Sequence, residues 1–274
     1  MRTLVIAEPG STHEGDLGRM LELVDLAADI GCDVIKPQWL SSSTRLCERR
    51  HAPEYLNAYR LIEYPLEWIE RIAEQCRANS IKLAVSVYLP EDVVRVSVLP
   101  GVHYLKCASF EADAKDMHAA LKEQERPVIV SMGMGASLAP WTWVYAVLHC
   151  VSSYPTPSDQ ANLGTIRALR DSWSRRLAGY SDHTLHPMAG ALAVAAGAQV
   201  VEFHIRHPLC SPTNADYAVS RSLLGAAMRA RLVGEVGAAE YVRNIRMAEM
   251  LMGDGTLGPM PCEEAMMRYR ANQP

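Results

Sequence analysis

A closed (β/α)8 barrel, the TIM-barrel class of α/β fold, is what this sequence predicts, as one domain over residues 1–274. Three observations carry the expectation. Eight short β-branched runs alternate with segments of helical period, beginning at residue 2. No linker or shift in composition interrupts them. The length, 274 residues, is that of a single barrel of ~250 residues with almost nothing left over.

Each element follows from its own pattern. The first run is residues 2–8 (RTLVIAE). It leads into a helix over 17–30, where Leu17, Met20, Leu21, Val24, Ala27 and Ala28 share one face. The second run, 33–38 (DVIKPQ), is followed by a long stretch, 40–60, which reads as a loop at the barrel mouth and as a lid. A helix over 66–78 precedes the third run, 82–87 (KLAVSV). The fourth run, 104–109 (YLKCAS), and a helix over 114–122 precede the fifth, 127–132 (PVIVSM). The sixth, 146–152 (AVLHCVS), leads to a helix over 162–171. The seventh, 177–182 (LAGYSD), leads to a helix over 187–197 with Pro187 in its first turn. The eighth, 200–205 (VVEFHI), is followed by a helix over 221–236. Continuous apolar strands separated by helices belong to a parallel sheet covered on its faces. Eight such units in succession favour closure over an open sheet.

Composition narrows the function. The chain has 27 Lys+Arg against 31 Asp+Glu, a formal charge of −4, and so no electrostatic footprint for nucleic acid. With 49% hydrophobic and 21% charged residues it is an ordinary globular chain rather than a disordered one. No apolar run reaches the ~18 residues that span a membrane. The N-terminal MRTLVIAEPG meets Glu8 without a signal-peptide cleavage site, so a cytoplasmic protein is expected. Seven Cys, with no CxxC spacing, read as buried reduced thiols rather than a zinc knuckle or a disulfide framework.

Polar residues fall at the same end of every run: Glu8, Lys36 with Gln38, Ser86, Lys106 with Ser109, Ser131, Ser152, Ser181 with Asp182 and His183, and Glu202 with His204. In a barrel these converge on the mouth that carries the chemistry. Lys and Glu inside apolar strands need partners. His183 and His204, on neighbouring strands, could hold a divalent ion with positions left open, or could be hydrogen-bonded core residues. Lys36 and Lys106, with Ser86, Ser109, Ser131 and Ser181, offer two ammonium groups and four hydroxyls, as a phosphate plus a carboxylate would require. A Schiff-base lysine is the competing reading. Other features read as structural. His149 reads as a satisfied interior residue, and Trp141 and Trp143 as the packing of a helix start. Met247, Met250, Met252, Met260, Met266 and Met267 read as packing or a subunit contact, and Arg49-Arg50 and Arg175-Arg176 as solvated loop charges. Arg206 and His207 are expected nearer an anion.

These residues sit in motifs that resemble the N-acetylneuraminate (sialic acid) synthase family. The matching stretches are IAEPGSTHEGDL (6–17), GCDVIKPQ (31–38), LKCASFE (105–111), PVIVSMGM (127–134), LHCVSSYPTP (148–157), NLGTI (162–166), GYSDHT (179–184), GAQVVEFHI (197–205) and MGDGTLGPMPCEE (252–264). The resemblance implies condensation of phosphoenolpyruvate with an aldehyde, releasing phosphate and giving a 2-keto acid. It implies His183 and His204 as ligands of a divalent metal, Mn2+ in the family's usage, with Mg2+ or Co2+ as alternatives. Lys36, Ser86, Lys106, Ser109, Ser131, Ser152 and Ser181 match positions around phosphoenolpyruvate, and Glu8, Glu202 and Lys106 the reacting centre. Gln38, Tyr154 and Asp216 match positions that approach the acceptor. A homodimer is implied as well.

Departures cluster on the acceptor side. The family's first N-H is Thr12-His13 here, its KFQ is Lys36-Pro37-Gln38, and its T-P-F-D is Ser86-Val87-Tyr88-Leu89. An S-G becomes Ser109-Phe110, an S-T-G becomes Ser131-Met132-Gly133, and an Asn of the LHC motif becomes Ser152. The family's C-terminal antifreeze-like domain, which lends an Arg to the acceptor sugar, is not represented in the 274 residues. The expectation is a synthase acting on an aldehyde other than N-acetylmannosamine. Alternatives are a genuine N-acetylneuraminate synthase, a Schiff-base aldolase or lyase on the same barrel, and a non-catalytic binding protein.

Overall fold

The computed structural model describes residues 2–136, 142–172, 176–210 and 236–271. Eight parallel strands close into a barrel in sequence order. They are β1 (Leu4–Glu8), β2 (Val34–Ile35), β3 (Lys82–Val87), β4 (Val102–Cys107), β5 (Val128–Met132), β6 (Ala146–Cys150), β7 (Leu177–Asp182) and β8 (Val200–His204). β8 closes on β1, with Glu8 opposite His204 in register.

The helices are α1 (Leu17–Asp29), α2 (Ser43–Arg50), α3 (Leu56–Arg60), α4 (Glu67–Ala78), α5 (Pro90–Ser97), α6 (Lys115–Lys122), α7 (Gly164–Ser172), α8 (Ala189–Ala195), α9 (Val236–Met252) and α10 (Glu264–Ala271). None is long and apolar enough to cross a membrane. The helical period read in the sequence recovers α1, α4, α6, α7 and α8 to within a few residues. It misses α5, a short helix that begins where extended Leu89 meets Pro90, with Glu91 and Asp92 in its first turn. The helix expected over 221–236 lies almost wholly outside the described residues, and α9 begins at its last position.

Two sequence expectations need correction. The second run forms only two residues of ladder, because Pro37 has no N–H to donate; the chain rejoins the sheet at Gln38, bridged to Ser86. The stretch 40–60 is not a loop. Ser42 caps α2 by accepting from Arg45 N–H, His51 ends it in the left-handed conformation, and a 3-10 turn at Pro53–Tyr55 leads into α3. Leu40, Leu46, Cys47, Tyr59 and Ile62 pack with Tyr88 and Leu89 into a separate apolar cluster that holds this excursion on the rim. The six methionines of the C-terminal segment are exposed and do not pack into the core of this chain.

Inside the barrel an apolar plug is built from Ile6, Val34, Ala84, Tyr104, Ile129, Ala146, Leu148 and Val200. The main core lies between the sheet and the helices. Gly179 belongs to the plug: a Cβ there would run into the Val200 carbonyl oxygen and the Leu148 side chain. Gly179→Ala should therefore cost about 2 kcal/mol or more through overpacking against backbone, read as a lower urea midpoint.

Candidate active site

The site follows from the period of a strand. Side chains two apart share a face, so the residue two past each plug residue also points along the barrel axis, one layer nearer the mouth. Two past Ile6 is Glu8, two past Val34 is Lys36, and two past Ala84 is Ser86. Tyr104, Ile129, Gly179 and Val200 are followed in the same way by Lys106, Ser131, Ser181 and Glu202. A further step reaches Gln38, Tyr88, Ala108, His183 and His204. All of these residues line one cavity of about 320 Å3 at the C-terminal ends of the strands.

Its floor is an ion network with almost no exposed surface. Lys36 Nζ lies 2.8 Å from Glu8 Oε2 and 3.7 Å from Glu202 Oε2, and donates to Ser86 Oγ at 2.8 Å. Lys106 Nζ donates to Ser131 Oγ at 2.7 Å and lies 3.9 Å from Glu202 Oε1. Gln38 Nε2 donates to Glu8 Oε1 at 2.6 Å, and Ser181 Oγ donates to Glu202 Oε1 at 2.7 Å. Two ammonium groups thus face two carboxylates, and each charge has an opposite neighbour. Burial alone would raise the Glu8 carboxyl, but the charges of Lys36, His204 and Lys106 outweigh it and hold Glu8 well below the usual carboxylate range.

His183 and His204 stand beside this floor with ring centroids 5.5 Å apart. His183 Nδ1 is 2.7 Å from the Val151 carbonyl oxygen, which can only accept. Nδ1 therefore carries the proton, and Nε2 keeps a lone pair. Burial, with His204 nearby, lowers the His183 pKa to about 4, so the ring is neutral at pH 7. A neutral, oriented imidazole is the form that ligates a metal. His204 Nε2 lies 3.7 Å from Glu8 Oε2. Among the described residues no set of three or more His, Cys, Asp or Glu encloses a metal position. Two neighbouring imidazoles, with His183 keeping its Nε2 lone pair, are a donor set that would fit a divalent ion.

Tyr154 covers the pair, its ring 4.2 Å from that of His183 and 6.0 Å from that of His204. Burial, with Cys150, Glu8 and Glu202 adding to it, pushes its hydroxyl well above the ordinary tyrosine range, so Tyr154 is a neutral wall. Ser109 Oγ and Ser152 Oγ are 2.9 Å apart at the cavity edge. Asp216 and Trp141 lie outside the described residues.

Several expectations change. Arg50 is not a solvated loop charge: its guanidinium lines the cavity and pairs with buried Glu111. Arg49 pairs with Asp116 and Glu111. His207 is buried and bonded to Glu22 at 2.7 Å, away from the cavity and from any anion site there. His149 is a satisfied interior residue as expected, buried, stacked on Tyr180 and bonded to the Ala161 carbonyl. Trp143 packs edge-on against His118. Tyr88 and Phe110, noted in the sequence as departures from the family's motifs, line the cavity, as do Tyr59 and Cys150, for which no role at the site was expected. The alternation that found Ser86 could have found Tyr88, two residues on. Tyr59 and Phe110 lie outside strands and carry no such signal.

Comparison with known proteins agrees with this geometry. A family model described as the NeuB family matches residues 23–255. An uncharacterized protein of Methanocaldococcus jannaschii is 30% identical, over 95% of this chain and 75% of that protein. The N,N'-diacetyllegionaminic acid synthase of Legionella pneumophila is 28% identical, over 94% of this chain and 76% of that protein. The crystal structure of the N-acetylneuraminic acid synthetase of Leptospira borgpetersenii superposes with a TM-score of 0.77 at 25% identity, covering 99% of this chain and 92% of that one.

The ion network predicts an unusual pH response. Lys36→Met leaves Glu8 and Glu202 buried without their shared cation, and should cost ~3–5 kcal/mol at pH 7. In the native chain Glu8 is depressed below 4.5, so its stabilisation is present above that value and lost as pH falls below it. In the variant burial acts on Glu8 without the opposing charge of Lys36, so its carboxyl rises, the folded state takes up a proton first and the deficit shrinks between pH 7 and pH 5. Urea unfolding of both proteins at the two pH values checks it; a deficit independent of pH contradicts the network.

Proposed function

This chain belongs to the NeuB family, and on that premise we propose that it joins phosphoenolpyruvate to a sugar-like aldehyde, releasing phosphate and forming a 2-keto acid. The observation that carries the reading is the cavity floor. Two buried ammonium groups, each hydrogen-bonded to a serine hydroxyl, stand within 4 Å of Glu202 and beside two imidazoles. An anion with a phosphate and a carboxylate needs two such donors at one place. The acidic net charge does not oppose this, because the positive charge is local.

In this reading Lys36 and Lys106, with Ser86, Ser109, Ser131, Ser152 and Ser181, hold phosphoenolpyruvate in place. C3 of phosphoenolpyruvate bonds to the aldehyde carbon, and the aldehyde oxygen takes up a proton. Water adds at C2 and gives up a proton. The C2–O bond to phosphate then breaks as the C2 hydroxyl gives its proton to the departing phosphate oxygen, leaving the ketone. Glu8, held well below the usual carboxylate range by its cations, and Glu202 beside it balance the positive charge that develops at C2. Gln38, anchored on Glu8, and Tyr154 face the acceptor. His183 and His204 would hold a divalent ion, Mn2+ above the others, which supplies Lewis-acid polarisation of the aldehyde oxygen.

The Schiff-base alternative requires a neutral lysine amine. Lys36 and Lys106 each face a carboxylate and donate to a serine hydroxyl, contacts that engage the nitrogen and oppose that reading.

Phosphate release from phosphoenolpyruvate against a panel of aldehydes with Mn2+ tests the proposal. Release should depend on both substrates and stop with EDTA. His183→Ala or His204→Ala should lower it by more than the ~10–100-fold typical of losing an outer-shell partner, with the fold retained. No release with any aldehyde and no phosphoenolpyruvate binding by calorimetry overturns it, and borohydride trapping of a keto acid would install the lysine alternative.

A further inference from the structure

Behind the two imidazoles, on the side of β7 and β8 away from the cavity, lies a buried carboxyl. Asp182 ends β7 one residue before His183, and strand alternation turns its side chain outward, toward the helices. It is 1% exposed there, where a polar group is costly unless it is hydrogen-bonded. Asp182 Oδ1 accepts the Thr184 N–H at 2.7 Å, in a turn that wraps around His183, and the Tyr180 hydroxyl at 3.2 Å. Oδ2 accepts the hydroxyl of Tyr241 at 2.6 Å. Tyr241 belongs to α9 and is itself fully buried.

The same tyrosine reaches the neighbouring strand. Its ring centroid is 4.7 Å from that of Phe203, the residue before His204. Asp182 and Phe203 stand opposite one another in the β7–β8 ladder. One side chain from outside the barrel thus rests on the ladder pair that immediately precedes the two histidines. Helix α8 makes room for it: a Cβ on Gly190 would lie 2.7 Å from Tyr241 Cζ and 2.8 Å from its Oη.

His183 is also held from the segment after β6. The Thr156 N–H donates to its carbonyl at 2.8 Å, and the Val151 carbonyl orients its ring. Those contacts fix one histidine, whereas Tyr241 spans both strands. We propose that Tyr241 is a positioning residue for the His183–His204 pair, tying the ends of β7 and β8 together from behind so that both imidazoles can share one divalent ion. The proposal rests on the reading that these histidines hold the ion, and adds a residue of α9 to the machinery. Losing an outer hydrogen-bond partner of a metal ligand costs ~10–100-fold in affinity, and Tyr241 acts one contact further out, at the lower end of that range.

Mn2+ binding to the full chain without substrate, read by titration calorimetry and by the electron spin resonance of free Mn2+, tests it. Tyr241→Phe keeps the ring and loses the hydroxyl, and should raise the Mn2+ Kd about tenfold. Phosphoenolpyruvate binding measured in EDTA should match the native value. Phosphate release should recover as Mn2+ is raised, a rescue that a merely loosened fold would not show. Gly190→Ala drives the ring from its seat on the other side and should weaken Mn2+ to a similar extent. Val242→Ala, buried on the same helix, should lower the urea midpoint and leave Mn2+ affinity at the native value. Native Mn2+ affinity in Tyr241→Phe overturns the proposal, as does native affinity in Gly190→Ala if the first variant does not fold. An equal loss in Val242→Ala overturns it too, because the effect is then one of helix packing in general. Failure of the metal reading has a different signature and removes both: the native chain binds no Mn2+, or His183→Ala binds it as tightly as the native chain.

Discussion

The contact between Lys36 and Glu8 is the constraint on which the rest depends. A lysine just past the second strand and a glutamate at the end of the first have almost no exposed surface, and each is tolerable there because the other is 2.8 Å away. Glu202 and Lys106 extend the pair across the barrel, so four charges from four strands share one floor. Removing any one leaves a buried charge uncompensated. The strand registers that bring them together are therefore held by electrostatics at the mouth as well as by packing beneath it. The same arrangement holds the Glu8 carboxyl well below its ordinary range, while burial keeps His183 neutral beside it.

The network could not form without the plug below it. Ile6, Val34, Ala84, Ile129, Leu148 and Val200 fill the barrel axis and exclude water, and Gly179 lets β7 and β8 approach closely enough to leave no gap. Water-free packing underneath raises the cost of each unpaired charge above, so shape and charge reinforce one another. The two layers are successive steps of one strand period, apolar and then polar.

The rim of the cavity has a different origin. It is supplied largely by the excursion between β2 and α4, where α2 and α3 pack on the rim through Leu46, Cys47, Tyr59 and Ile62. Arg49 and Arg50, at the end of α2, tie that excursion to Glu111 and Asp116 beyond β4. A barrel with a polar floor thus acquires an apolar rim from segments that are not part of the sheet.

The sequence by itself determined the barrel and nearly all of the floor. Strand alternation is local, so Lys36, Lys106, Glu8, Glu202 and the two histidines could be read as facing one way from spacing alone. It also marked His183 and His204 as neighbours, since β7 and β8 follow one another. What the tertiary structure decided lies off the strands. Residues 40–60 look like a polar loop because their apolar positions are matched by a partner, Tyr88 and Leu89, that lies tens of residues away. Arg50 looks solvated for the same reason: its partners, Glu111, Tyr88 and Phe110, come from the ends of β3 and β4. Periodicity reports which way a side chain points along its own element, and only folding reports what it meets there.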